Sequence, residues 1–366
     1  MCAMESEKRK TLENGDTMPF IEKFMVPQMY ELFRFGGSSV NDDERGLRKM
    51  IKYFSEYLTE EQLRENMKRY NLKRMFDLVK KYFKKEYGYE GEDIVLSNRY
   101  QHTINSYIYN DQKNPVFVHV DELFESTVMA FFLAMFKWSK DFENIEVYGK
   151  CFQYVLFLLN DVCIFGEMQG QRANDALLQL LSGDIQILQL AENCYWTTVV
   201  FSLSHEIAHA YLACIGKRYS KKHPEKEEND ADMIAYHIVL KIIMGNDGEE
   251  RVLERYTYLV PMMYMDFFDL YYYTDRILYK TRFSDTLHPW PADRKKRLFA
   301  VVDREEYDFD TVEGNHLYSG FLDVYDEYKD QVLLKMERGK LKEIIHMERR
   351  EQMRRGKNDE RRSDEL

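Results

Sequence analysis

Cysteine is scarce in this 366-residue chain and poorly placed for cross-linking. The five residues (Cys2, Cys151, Cys163, Cys194 and Cys214) are odd in number and widely spaced, with no CxxC pair. That argues against a disulfide framework and a cysteine-based zinc knuckle, and the simplest expectation is a reducing, cytoplasmic setting. Glycine (17) and proline (7) are also few, and with many long side chains this predicts a mainly helical protein. Positive charge is in deficit: 52 Lys and Arg against 63 Asp and Glu leave a net charge of −11, so no nucleic-acid partner is expected. The first residues, MCAMESEKRK, lack the apolar stretch of a signal peptide. The final SDEL resembles a retention address of the endoplasmic reticulum, which without prior entry to the secretory route reads as coincidence. Only Trp196–Cys214 approaches the length of a membrane span, and it contains His205, Glu206 and His209. Placing those side chains in lipid would be expensive, so a buried core helix is expected and no membrane span.

What is present suits a packed core. Hydrophobic residues make up 45% of the chain, charged residues 31% and aromatics 14%, with 27 Tyr and 23 Phe. Residues 1–45 read as a weakly structured lead-in. From Glu44 to Tyr87 the pattern is helical and charged, with Leu47, Met50, Ile51 and Phe54, then Met75, Leu78, Val79 and Tyr82, at helical spacing. Asp93–Leu96 and Pro115–Val120 are short β-prone runs, and Glu146–Tyr148 is a weaker one. Helices are expected at Leu123–Trp138, Tyr148–Phe165 and Asn174–Ser182. A motif helix is expected from Asn193 to a terminating Gly216, then further helices at Glu227–Met244 and Glu249–Phe283, after the HPWP segment, and from Phe321 onward. The division expected is a helical N-terminal accessory region (1–91), a catalytic domain (92–320), and a charged C-terminal helix with a frayed tail (321–366).

The chemistry starts at His205-Glu206-Ile207-Ala208-His209. Residues four apart leave one face of a helix a turn apart, so both imidazoles can reach one zinc ion, with Glu206 beside them to take a proton from water. An HExxH arises by accident in roughly a few per cent of chains of this composition. The flanking sequence VVFSLSHEIAHAYLA is that of a core helix, where a polar cluster requires a partner such as a metal. A catalytic zinc needs a third protein ligand. Nineteen residues beyond His209 stands Glu228, in Glu228-Asn229-Asp230-Ala231-Asp232, on a helix whose Ile234, Ala235, Ile238 and Val239 face a core. Glu228 is the expected third ligand, and Asp232, on the same face, would accept a hydrogen bond from a ligating histidine. Glu227, Asp230 and His237 are competing choices, and a plain acidic helix N-terminus is the non-functional alternative.

HEIAH, eighteen residues and then ENDAD resembles the HExxH…ExxAD pattern of the gluzincin metallopeptidases. Leu287-His288-Pro289-Trp290-Pro291-Ala292-Asp293-Arg294 is similar to the HPxxxxR segment of the CAAX prenyl protease and HtpX-like branch. There the His and Arg bind substrate and stabilise the oxyanion, which implies that role for His288 and Arg294. The chain departs from that branch in lacking membrane spans and in its short loop between His209 and Glu228. A soluble peptidase such as the phage-exclusion (Lit-type) group is the closer likeness. The expected fold is mainly α (α+β), a zincin-like domain with a small β-sheet and helical extensions. The expected function is zinc-dependent hydrolysis of a protein or peptide substrate, the alternative being a catalytically idle zincin that works by binding.

Overall fold

The longest described element is a 30-residue helix, Ile185–Cys214, against which four of the other helices and the sheet pack. The structure is a computed structural model and describes residues 59–61, 64, 72–99, 106–109, 116–140, 185–217, 224–245, 252–279, 289–302, 309 and 311–329. Helices α1 (Leu72–Tyr87), α2 (Glu122–Lys140), α3 (Ile185–Cys214), α4 (Pro224–Met244), α5 (Val260–Tyr279), α6 (Pro291–Val302) and α7 (Thr311–Tyr328) dominate. A 3-10 turn at Arg255–Leu259 leads into α5. The strands are β1 (Ile94–Arg99), β2 (Ser106–Tyr109) and β3 (Val116–Asp121). The fold is therefore mainly α with a small sheet, as expected.

The middle of α3, from Cys194 to Ala208, is buried all round because it is largely apolar all round. Val199, Val200, Leu203 and Ala208 have no exposed surface, and Phe201 and Ile207 have 1%. It packs against α1, α2, α4, α5 and the sheet. The helix starts at Ile185, eight residues earlier than the expected Asn193, because IQILQLAE contains no breaker. Asn193 is not its cap: the side-chain Nδ2 donates to Tyr256 Oη at 2.6 Å, tying the helix to the 3-10 turn. The far end stops where the glycine predicted. Gly216 has φ +72°, its N–H donates to the Ala213 carbonyl (3.2 Å), and Lys217 N–H donates to the Leu212 carbonyl (2.9 Å), which is a Schellman closure.

The chain then reverses. α4 opens on Pro224, whose missing N–H costs nothing in the first turn, and runs antiparallel to α3. Ala231, Ala235, Ile238 and Val239 bury its inner face completely. α1 closes over both helices with Met75, Val79 and Phe83 buried. Its C-terminal end joins an aromatic cluster in which Tyr211 of α3 lies 5.2 Å from Tyr87 and 5.6 Å from Tyr89.

β3 is the central strand, parallel to β1 (Ile94 opposite Val116) and antiparallel to β2 (Tyr107 opposite His119). β1 and β3 correspond to the two expected β-prone runs, whereas β2 was not foreseen. Val118, Val120 and His119 are all buried, so both faces of β3 are covered. The core continues through Phe131 of α2, whose ring centroid lies 5.3 Å from Phe267 of α5 and 5.7 Å from Phe321 of α7. α5 begins only at Val260, since Pro261 cannot donate into a preceding helical turn, and α7 begins at Thr311, ten residues before the expected start. The amphipathic pattern at 47–54, the strand at 146–148 and the helices at 148–165 and 174–182 lie outside the described residues.

Candidate metal centre

Antiparallel packing of α3 on α4 brings the histidine face of one helix against the acidic face of the other. His205 and His209 project one turn apart, their rings nearly perpendicular at 85° with centroids 4.7 Å apart. The two Nε2 atoms are 3.1 Å apart. Glu228 reaches between them, Oε2 lying 3.3 Å from His205 Nε2 and Oε1 3.4 Å from His209 Nε2. Ligand atoms held at about 2.1 Å around a tetrahedral zinc are separated by about 3.3–3.4 Å. The two nitrogens and the carboxylate thus converge within the span of one zinc ion, each imidazole facing a different oxygen of Glu228. Among the described residues, His205, His209 and Glu228 form the one group of three or more ligating side chains whose ligand atoms all lie within 4.8 Å of one another.

The remaining ring nitrogens face carboxylates. His205 Nδ1 is 3.0 Å from Asp232 Oδ1, close enough to pair electrostatically though not aimed well enough for a fully formed hydrogen bond. His209 Nδ1 donates to Glu227 Oε1 at 3.2 Å. Asp232 is 2% exposed and is gripped from behind by Arg294 of α6, Nε donating to Oδ2 at 2.7 Å and Nη2 to Oδ1 at 2.6 Å. Glu206, 7% exposed, sits on α3 beside the two histidines.

Burial works against every charge in this cluster, and the partners decide the outcome. It raises the Asp232 carboxyl, but the Arg294 guanidinium and His205 pull it down to about 2. It lowers the His209 imidazolium, but Glu227 and Glu228 outweigh that and lift it to about 10. His205 is raised and Glu228 lowered for the same reason. Glu206, Glu227, Glu228 and Asp232 bring four carboxylates to one site, against which the chain alone sets the Arg294 guanidinium and the two imidazolium rings. Two protonated nitrogens 3.1 Å apart repel each other, whereas one divalent cation satisfies both and the carboxylate together. The donor set fits zinc.

The other expected residues fall in different places. His288 lies outside the described residues. Arg294, expected to face substrate, is 7% exposed and turned onto Asp232, a pairing that two charges buried side by side are bound to make. His237 lies on another face of α4, 3.6 Å from Glu86 and edge-on to Tyr87. Asp230 is not in the ligand group. Glu227, a competing choice for the third ligand, instead meets the outer nitrogen of His209. Its position directly before Glu228 was the only sign in the sequence.

Sequence comparison matches residues 96–312, more than half of the chain, to the peptidase U49 family. The chain belongs to that family. Peptide-bond hydrolysis is the activity class that goes with it, and both site helices lie inside the matched stretch. No curated protein and no solved structure matches the chain. Among the described residues no helix is long and apolar enough to cross a membrane.

Proposed function

We propose that this peptidase is a zinc-dependent endopeptidase of gluzincin type, with His205, His209 and Glu228 holding the metal. The observation that carries this reading is the convergence of the three side chains, the two Nε2 atoms 3.1 Å apart and facing the two oxygens of Glu228 at 3.3 and 3.4 Å. Zinc in that place supplies a Lewis acid that acidifies water and polarises a carbonyl. The carboxylate of Glu206 accepts the proton of the attacking water and returns it to the leaving amine. Asp232 holds the outer nitrogen of His205, and Arg294 keeps Asp232 ionised and fixed. Oxyanion stabilisation from the chain falls to His288, on the resemblance of its segment to HPxxxxR. The substrate is a protein or peptide.

The test measures zinc content and cleavage of a broad peptide library on the same preparations. The expected result is one zinc per chain in wild type, zinc retained but cleavage lost in Glu206→Gln, and zinc lost in His205→Ala and Glu228→Ala. Zinc-free wild type, or undiminished cleavage in Glu206→Gln, would sink the mechanism.

A further inference from the structure

Two consecutive carboxylates at the start of α4 address the same imidazole from opposite sides. Glu228 Oε1 lies 3.4 Å from Nε2 of His209, and Glu227 Oε1 accepts from Nδ1 at 3.2 Å. Neighbouring side chains on a helix diverge by about 100°, so they cannot share a face. They can straddle a ring presented edge-on by a facing helix, and the antiparallel packing of α3 on α4 presents His209 in that way. Glu228 and Asp232, the residues of the ExxAD pattern, account for the inner side of the site and for His205. Nothing in that pattern accounts for the outer side of His209.

We propose that Glu227 is a positioning residue for His209, fixing its tautomer and ring angle so that Nε2 stays turned toward His205 and Glu228. The inference rests on the metal reading above. An imidazole with no acceptor on Nδ1 can place its proton on either nitrogen and rotate; a carboxylate at Nδ1 holds the proton there and leaves the Nε2 lone pair for the ion. His205 has a carboxylate facing Nδ1 from Asp232, 3.0 Å away, a short side chain 3% exposed and clamped by Arg294. His209 has it from a longer side chain, 19% exposed, in the first turn of a helix. The two ligands are thus supported unequally, and His209 is the one whose support can be removed without opening a cavity or stranding a buried charge.

The experiment is zinc affinity of the full chain, measured by competition with a chromophoric chelator, together with the visible spectrum of the cobalt(II)-loaded protein. Glu227→Ala is expected to weaken zinc binding by about 10- to 100-fold and to shift the cobalt spectrum, with the metal-free protein still folded by far-ultraviolet circular dichroism. Glu227→Gln keeps an acceptor oxygen and is expected to recover part of the affinity. Glu225→Ala removes an exposed acid from the same helical turn and is expected to bind zinc as wild type does. Wild-type affinity in Glu227→Ala overturns the proposal. So do equal losses in Glu225→Ala and Glu227→Ala, which would assign the effect to charge at the helix end. A wild type that takes up no zinc overturns the metal reading itself. A wild type that binds zinc, beside a Glu227→Ala that binds it equally, overturns the positioning role alone.

Discussion

Arg294 holds Asp232 by two parallel hydrogen bonds of 2.7 and 2.6 Å, and this pair joins α6 to the back of the histidine site. Both groups are buried, so neither has water as a substitute. Arg294→Ala strands a buried carboxylate and is expected to cost about 3–5 kcal/mol in denaturant unfolding at neutral pH. Asp232 is depressed to about 2 in the folded chain, so its contribution is present above the ordinary aspartate range and lost as pH falls from about 4 toward 2. The wild-type advantage over Arg294→Ala should therefore shrink over that window. Arg294→Lys keeps the charge without the fork and is expected to fall between the two. An Arg294 serving only as an oxyanion donor would instead lower cleavage and leave stability untouched.

Asp266 offers a pH dependence of opposite sign. Burial raises its carboxyl to about 6, against the attraction of Lys295, whose Nζ donates to Oδ1 at 2.7 Å. Its other oxygen is buried without a hydrogen-bond partner. A carboxylate raised on folding opposes stability above its folded value, and that opposition is relieved as pH falls from about 6 to 4. The wild type should gain up to about 3 kcal/mol from this group across that window, a figure set by roughly two pKa units. In Asp266→Asn the gain should vanish, so subtracting the two stability curves isolates it. Parallel curves between pH 4 and 6 would exclude the assignment.

The two glycines of α7 are alike in sequence terms and opposite in the structure. A Cβ on Gly314 would collide with the Tyr258 ring and lie 3.0 Å from the Tyr256 carbonyl, whereas one on Gly320 meets nothing within 4 Å. Gly320→Ala should stabilise by about 1 kcal/mol through helix propensity alone. Gly314→Ala should destabilise by about 1–3 kcal/mol, since Tyr258, stacked on Phe309 at 4.5 Å, has to move. Thermal unfolding of both variants side by side reads the difference in sign.

The same contrast marks what could be read from the residues alone. His205, His209, Glu228 and Asp232 sit at helical spacings, and helix geometry converts spacing into a shared face, so their convergence was legible once both segments were taken as helices. Gly216 was legible because a left-handed closure favours glycine. Arg294 was not, since its partner is 62 residues away and only the packing of α6 on α4 brings it to Asp232. The start of α3 was missed because Asn193 is a good cap by type, yet its side chain is engaged with Tyr256. β2 escaped notice because SYIY is too short to stand out, and it becomes a strand through pairing with β3.

Metal removal should separate the site from the fold. α3 and α4 bury Val200, Leu203, Ala231, Ala235 and Val239 completely, and none of that apolar burial depends on an ion. A chelator is therefore expected to abolish cleavage while leaving far-ultraviolet circular dichroism unchanged. It should still lower the melting temperature, because a ligand that binds only the folded chain stabilises it by mass action. At free zinc 100-fold above the dissociation constant that amounts to about 2.7 kcal/mol. In Glu206→Gln, which keeps all three proposed ligands, the same shift should appear although activity is gone. In Glu228→Ala it should disappear, and a chelator-induced shift that persists there would place the metal elsewhere.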